Sequence, residues 1–386
     1  MRILHSGTLD VRFGGPAMST YLTLLGLRGL GVEAEMVMYR MTRGGQLRGE
    51  QVPVHFCRRP LVPKIQYSPT LKREIRALGP YDVYHAQGIW QYHTYAMADV
   101  AREGQRPYLI SPRGMLYPQD IAKANTRMKR LSLRLRLMHD LNQAALVHAT
   151  CQDEMMHCRQ LGITAPIGIV PNPVEIIDYP QTKTDKTFRL GYLGRVSRRK
   201  NIHGLIEAYL SLGEEARGTE LLIIGGGDEQ YMDELRTMAG EVRHGTVRFL
   251  GFLSGREKDE AIASLSVLAM PSEFENLGNV ILEGLVRRIP CIATKGTPWS
   301  ELQTRRCGWW VDYRQEAINR AVHEALHTPT EELQAMGERG RRLMEECYSV
   351  EAVATKMKQI YEWTLHQGDQ PEFVFTLNKV NGGQLN

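Results

Sequence analysis

Short apolar runs alternate along this chain with longer stretches in which apolar positions return at helical spacing. The runs RILHS (2–6), AEMVMY (34–39), DVYHA (82–86), YLISP (108–112), ALVHA (145–149) and IGIVP (167–171) predict buried strands. A glycine-rich loop and a helix over about 16–29 follow the first. Around PNPVEIIDYPQTKTDKT (171–187) the pattern lapses into Pro, Asp and Thr, which predicts a linker. A second series follows: FRLGYLG (188–194), a helix over about 200–212, ELLIIGGG (220–227), a helix over 228–239, TVRFLG (246–251), a helix over 255–263 and SVLAMPS (266–272). Strands alternating with helices predict an α/β fold of βαβ units with parallel sheets. Two Rossmann-like domains facing a central cleft are expected, with the C-terminal strand edges turned to a ligand. The expected boundaries are 1–180 for the first domain and 181–348 for the second. A helix over 349–366 is expected to cross back to the first, with 367–386 as a tail.

A length of 386 residues suits two domains. The net charge of +5 fits an anionic ligand or an acidic membrane surface and falls short of a nucleic-acid footprint, so no nucleic-acid partner is expected. No apolar run reaches the roughly 18 residues that span a bilayer. MRILHSG opens as a first strand rather than a signal peptide. Six cysteines, at 57, 151, 158, 291, 307 and 347, show neither CxxC nor finger spacing. They are expected to be reduced, in the cytosol, without structural zinc.

The chemistry concentrates in SEFENLGNVILEGL (272–285). Ser272 to Asn276 follow the strand SVLAM, and a helix starts near Asn279. The amides of Leu277, Gly278 and Asn279 would then sit at a helix N-terminus, where unsatisfied donors and the positive dipole end favour phosphate. Glu283, one turn past Asn279, suits the diol of a ribose. Glu275, in the loop, could reach another part of the same ligand. Two solvated glutamates beside a helix start would be the bland explanation. Upstream, GYLGRVSRRKNIHGLIEA (191–208) puts Arg195 and Lys200 in a polar loop between strand and helix, able to neutralise a diphosphate. Arg198 and Arg199 fit that role or a solvated one. Gly14 and Gly15 end the first βα loop, with Pro16 well placed as a first helical residue.

These elements together resemble the retaining nucleotide-sugar glycosyltransferases of family 4, with the two-domain GT-B fold, over roughly 1–366. ISPRGML (110–116) and GTPWSELQTRRCGWW (296–310) resemble a bacterial polysaccharide-assembly branch of that family. The resemblance implies that Glu275 contacts hydroxyls of the donor sugar, Glu283 the ribose, Arg195 and Lys200 the diphosphate, and Gly14 and Gly15 the donor. Glu275, Arg195 and Lys200 are the catalytic set it implies. The substrates implied are a nucleotide diphosphate sugar and a glycan or lipid-diphosphate-linked acceptor bound by the first domain. Many family members carry a histidine where this chain has Ser111-Pro112-Arg113; Arg113 and His85 are the candidate sugar or acceptor contacts in its place. For His85 and His93 a satisfied core or surface histidine is the competing reading. The family's Glu-Gly-Phe-Gly is here Glu-Asn-Leu-Gly, which alters the wall of the sugar pocket.

Retaining transfer by front-face attack is what the resemblance implies, with no cofactor and no metal. The chain has no D-x-D, the usual metal-binding signature of the cation-dependent GT-A fold. A glycosidase using Glu275 and Glu283 as acid and base would have no use for Arg195 and Lys200. A GT-B-fold epimerase or a non-catalytic nucleotide-sugar-binding subunit would also fit these residues. A dehydrogenase would rest on IIGGGDEQ (223–230) alone, which lacks GxGxxG. IAKANTRMKRLSLRLRLMH (121–139) interleaves Lys123, Arg127, Lys129, Arg130, Arg134 and Arg136 with Leu131, Leu133, Leu135, Leu137 and Met138. Such a helix either lies on an anionic membrane or packs its leucines on the first domain. Peripheral placement on the inner face of the plasma membrane is the localisation expected.

Overall fold

The computed structural model describes residues 1–41, 51–123, 125–180 and 187–377. Parts of the expected linker (181–186) and tail (378–386) and Ala124 of the basic segment lie outside them. Two compact units share the chain: Met1–Pro173 together with Val350–Asn386, and Val174–Ser349.

In the first unit, strands β1 (Arg2–Ser6), β2 (Glu33–Tyr39), β3 (Val54–Cys57), β4 (Val83–Gln87), β5 (Tyr108–Ser111), β6 (Leu146–Ala149) and β7 (Ile167–Ile169) form a parallel sheet. Its order is β3-β2-β1-β4-β5-β6-β7, and β14 (Val374–Phe375) adds an antiparallel edge to β7. Alternate strand residues enter two cores. Leu4, Tyr84, Ile110 and Val147 pack one face, while Ile3, Val83, Leu109 and Leu146 pack the other. Burial on both faces makes these strands continuous apolar runs. The helix Val350–Thr364 closes the second face with Val353, Met357, Ile360 and Tyr361. It lies tightly on the helix Gly15–Gly29: a Cβ on Gly26 would come within 2.7 Å of the Ala354 side chain.

The second unit holds β8 (Arg189–Leu193), β9 (Glu220–Ile224), β10 (Thr246–Gly251), β11 (Val267–Met270), β12 (Cys291–Thr294) and β13 (Gly308–Val311). Their order is β10-β9-β8-β11-β12-β13, all parallel. This is the doubly wound Rossmann order, and its direction reverses between β8 and β11. Most runs expected as strands and helices are found, but β3, β12, β13 and β14 have no counterpart among the expected runs. The boundary also falls earlier than expected. Residues 174–180 belong to the second unit because Val174 bridges Ser349 and the Ile177 carbonyl accepts a hydrogen bond from Arg341 (3.1 Å).

Candidate functional site

The topological switch point of the second sheet brings two separate loops together, because β8 and β11 are adjacent and parallel. One loop runs from Gly194 into the turn Arg198–Lys200 and the helix Ile202–Leu210. The other runs from Pro271 to the helix Asn279–Val286. Backbone and side chains both join them. The Glu273 amide donates to the Arg199 carbonyl (3.0 Å), the Arg199 guanidinium lies over the Phe274 ring (5.9 Å), and the Lys200 ammonium donates to the Glu275 carboxylate. Both members of that ion pair are largely shielded from solvent.

The glutamate loop is fixed from below as well. Its Glu275 amide donates to the Gly296 carbonyl (3.0 Å), and the buried Trp299 indole donates to the Leu277 carbonyl (2.5 Å). A Cβ on Gly296 would stand 1.9 Å from the Glu273 carbonyl oxygen, so only glycine fits there. Gly278 takes φ +76° as the residue capping the helix, and its carbonyl accepts from the Ile281 amide (3.0 Å). Glu283, on the helix, is ion-paired with Lys258 from the helix Gly255–Ala263. Neither Lys258 nor the Gly296–Trp299 support follows from the motif's own spacing; only proximity in the fold exposes them.

Arg195 is exposed, and among the described residues its guanidinium has no hydrogen-bond or ion-pair partner. Its loop is anchored by the Tyr192 hydroxyl, which donates to the Arg195 carbonyl (2.7 Å). Burial, and then the nearby Glu275 carboxylate, push the Tyr192 phenol well above its ordinary range. Arg198 is turned to Glu234 (2.7 Å) and stacks over Tyr231 (4.8 Å), a structural role. The glycines of IIGGG also have a packing explanation. A Cβ on Gly225 or Gly227 would lie 1.9 Å from the carbonyl oxygen of Gly194 or Val196. They let the loops that follow β8 and β9 touch.

Gly14, Gly15, His85 and Arg113 lie in the first unit. Gly14 caps the helix Gly15–Gly29 at φ +60°, with open space where a side chain would stand. His85 has no exposed surface, and both ring nitrogens are used within a chain of hydrogen bonds whose direction is determined. His148 Nε2 must donate to the Val170 carbonyl (2.8 Å), so its Nδ1 accepts from Ser111 Oγ (2.7 Å). Ser111 then accepts from His85 Nε2 (2.7 Å), and His85 Nδ1 accepts from the Tyr361 hydroxyl (2.7 Å). Tyr361 accepts from His5 Nε2 (3.0 Å), and His5 Nδ1 accepts from the Gln87 amide (3.1 Å). Gln87 in turn accepts from Arg113 Nε (2.9 Å). All three imidazoles are neutral in this arrangement. Burial holds His5 and His148 at about 3 and His85 well below its ordinary value. Arg113 also donates to Asn172 (2.5 Å), and burial lowers it to about 10. His93 is buried too, within 2.9 Å of Ser6 Oγ.

The basic segment divides. Leu133, Leu137 and Met138 pack on the first core, while Arg136 is neutralised by Asp99 and Asp140. Lys129 donates to the Asp120 carbonyl (2.5 Å). Met128, Leu131 and Leu135 are 64%, 51% and 71% exposed, beside exposed Arg127, Arg130 and Arg134. No helix of the described residues is long and apolar enough to cross a membrane. All six cysteines are free thiols.

Comparison with known proteins gives two matches in tandem: a glycosyl transferase 4-like domain over residues 14–173 and a domain of the glycosyl transferases group 1 over 175–343. The chain is 30% identical over 172 residues to the lipopolysaccharide core biosynthesis glycosyltransferase LpsE of Rhizobium meliloti, covering 44% of this chain and 48% of LpsE. It is 25% identical over 194 residues to the alpha-1,3/1,6-mannosyltransferase alg2 of Schizosaccharomyces pombe, covering 43% and 38%. It thus spans under half the length of these curated relatives. Among solved structures, HepE of Anabaena in complex with UDP and glucose superposes with TM-score 0.69 at 17% identity, covering 93% of this chain and 98% of HepE. WaaG, a glycosyltransferase involved in lipopolysaccharide biosynthesis, superposes with TM-score 0.68 at 16% identity, covering 93% and 99%. With a 4-like domain in one Rossmann-like unit and a group 1 domain in the other, the chain belongs to the GT-B glycosyltransferases.

Proposed function

We propose that this chain is a retaining, metal-independent glycosyltransferase. It moves a hexose-type sugar from a nucleotide diphosphate sugar to a glycan or lipid-linked acceptor in cell-surface polysaccharide synthesis. The observation that carries the reading is the meeting of Lys200 with Glu275 at the switch point, beside the N-terminus of the helix Asn279–Val286. One cation, one carboxylate and a helix N-terminus in one place suit a sugar joined to a diphosphate. The names of LpsE and alg2 support the reaction class.

In this reading Lys200, Arg195 and the 277–279 amides hold the diphosphate, and Glu283 takes the ribose hydroxyls. Glu275 orients the sugar. As the anomeric carbon–oxygen bond breaks, charge grows on the departing phosphate, where these groups already stand. The acceptor oxygen bonds to the anomeric carbon on the same face and passes its proton to that phosphate oxygen. The protein works in the cytoplasm, peripherally on the inner face of the plasma membrane, with Met128, Leu131 and Leu135 in the lipid interface and Arg127, Arg130 and Arg134 on anionic headgroups.

A melting-temperature screen against UDP, GDP, dTDP and ADP tests the donor assignment, since a ligand of the native state stabilises it by mass action. Transfer from the matching nucleotide sugar, with the anomeric configuration of the product read by NMR, tests the reaction. Stabilisation by none of the four, or a product of inverted configuration, would overturn the reading. Sugar release into water without an acceptor would indicate a hydrolase instead.

A further inference from the structure

A second constellation stands away from the sugar-donor loops. Glu215 lies in the turn Gly213–Ala216, which follows the helix Ile202–Leu210. His323 and His327 occupy successive turns of the helix Gln315–His327. One Glu215 carboxylate oxygen is 3.2 Å from His323 Nε2 and 3.5 Å from His327 Nε2. All three ligand atoms lie within 4.8 Å of one another, and the two imidazole centroids are 4.2 Å apart.

The scaffold holds these groups from within. Ile318, Ala321, Val322 and Ala325 bury one side of the histidine helix, and Leu212 and Ala216 anchor the turn. At its other end, Gln315 donates to the Gly204 carbonyl (2.8 Å). The two helices therefore run side by side in the same direction, and their C-terminal ends meet at Glu215. Lys200 precedes the start of one of them, so this cluster lies at the opposite end from the sugar-donor loops.

Its chemistry is that of a cation site. His327 Nδ1 donates to the His323 backbone carbonyl (2.8 Å). The neutral ring is thereby fixed in the tautomer whose Nε2 presents a lone pair to the carboxylate. A ligating histidine whose other nitrogen donates to a backbone carbonyl is the usual outer-shell arrangement of a metal site. Two helix C-termini add negative potential. Two imidazole nitrogens and one carboxylate oxygen select a borderline divalent ion such as Zn²⁺ over Mg²⁺ or Ca²⁺. All three side chains are about half exposed, which leaves water to complete the coordination. The cysteine spacing gives no hint of such a site, because no cysteine takes part.

We propose that Glu215, His323 and His327 bind a Zn²⁺-class transition-metal ion that clamps the C-terminal ends of two helices of the second unit. It plays no part in sugar transfer. The test titrates ZnCl2 into the full chain, freed of metal by EDTA and dialysed, using calorimetry, with Co²⁺ absorption as the readout of geometry. We expect one equivalent with a dissociation constant in the micromolar range, a higher melting temperature and a visible Co²⁺ d–d band. His323→Ala and His327→Ala should each weaken uptake by about tenfold or more and abolish the band. These exposed substitutions should leave nucleoside diphosphate binding unchanged. No Zn²⁺ uptake by the wild type, or uptake equal in the double variant, would overturn the proposal; the cluster would then be a surface ion pair only.

Discussion

Lys200 and Glu275 neutralise one another across 75 residues of chain, in a setting that shields both from solvent. A diphosphate arriving at the switch point offers the ammonium a second anion, while the carboxylate is released toward sugar hydroxyls. The two residues should therefore act as a coupled pair. Lys200→Ala and Arg195→Ala are each expected to cut transfer by about 2–4 kcal/mol of transition-state stabilisation while the fold stays intact. A double-mutant cycle of Lys200→Met with Glu275→Gln, read by urea unfolding, should show a coupling of about 0.5–3 kcal/mol. Wild-type turnover in either single alanine variant, once folded, would sink the assignment.

Glu283 has a different partner and a different job. Held by Lys258, it stands one helical turn past the start of its helix, where the proposed ribose contact would be made with or without the sugar. Glu283→Ala should weaken binding of the bare nucleoside diphosphate by about tenfold, the scale of a charge-assisted hydrogen bond. Glu275→Ala should spare the bare diphosphate and weaken the nucleotide sugar. Titration calorimetry that found both variants equally impaired for the diphosphate would refute this division.

What the sequence shows of this architecture follows the physics of burial. RILHS matches its strand to the residue, because a central parallel strand is buried on both faces and stands out as a run; TVRFLG matches too, although it is a partly exposed edge strand. CIAT, though buried, is only four residues long and follows a helix closely. GWWV and VF are edge strands that combine short length with partial exposure. The site divides the same way. Glu275, Glu283 and Lys200 sit at fixed offsets from strand ends and helix starts, so spacing predicts which loops and which helix carry them. The partners that hold them, Lys258, Gly296 and Trp299, are linked to them only through tertiary contact. His85 shows the converse: its position at a strand invites a ligand role, yet Tyr361, at a separation of 276 residues, fills its Nδ1.

Stability should depend on pH through the buried histidines. His5, His85 and His148 are neutral and packed around Tyr361 and Ser111, with Arg113 adding positive charge nearby, and Glu154 is the carboxylate beside Arg113. Burial also holds His93 at about 4. The folded-state values lie below the ordinary 6.5. Above that pH both states are neutral and stability is full; below it the unfolded chain takes up protons that the native chain refuses. Each such histidine then costs about 1.4 kcal/mol per pH unit as the pH falls from about 6.5 toward its folded value. Urea unfolding at pH 7, 6 and 5 should show a steep acid-side loss, and His148→Gln should flatten it by about one histidine's share. Equal stability at pH 7 and 5 in the wild type would contradict the buried, neutral network.

The last expectation concerns the segment between Asp120 and Asp140. Its leucines do two jobs. Leu133 and Leu137 hold it to the first core, while Leu131 and Leu135, with Met128, face outward. Of its six cations, Arg136 is neutralised by Asp99 and Asp140, and Lys129 is bound to a backbone carbonyl and lies over Trp90 (5.4 Å). Lys123, Arg127, Arg130 and Arg134 are exposed and have no ion-pair partner among the described residues. An exposed apolar ridge beside exposed cations matches an interface that is apolar inside and anionic outside. Each such cation contributes about 1 kcal/mol near an anionic surface, and salt weakens that contribution. The chain should therefore co-sediment with phosphatidylglycerol vesicles at low salt, less so at high salt, and little with phosphatidylcholine alone. Reversal of Arg127, Arg130 and Arg134 to Glu should abolish binding without unfolding the protein, because none of the three is an anchor of the core. Leu131→Ser with Leu135→Ser should weaken it at every salt concentration, since burying apolar side chains in the interface does not depend on charge. Arg136→Glu serves as the contrast: it would break the pairing with Asp99 and Asp140 and lower the melting temperature. Absent sedimentation at low salt, or sedimentation that survives the triple reversal, would remove the membrane from this surface.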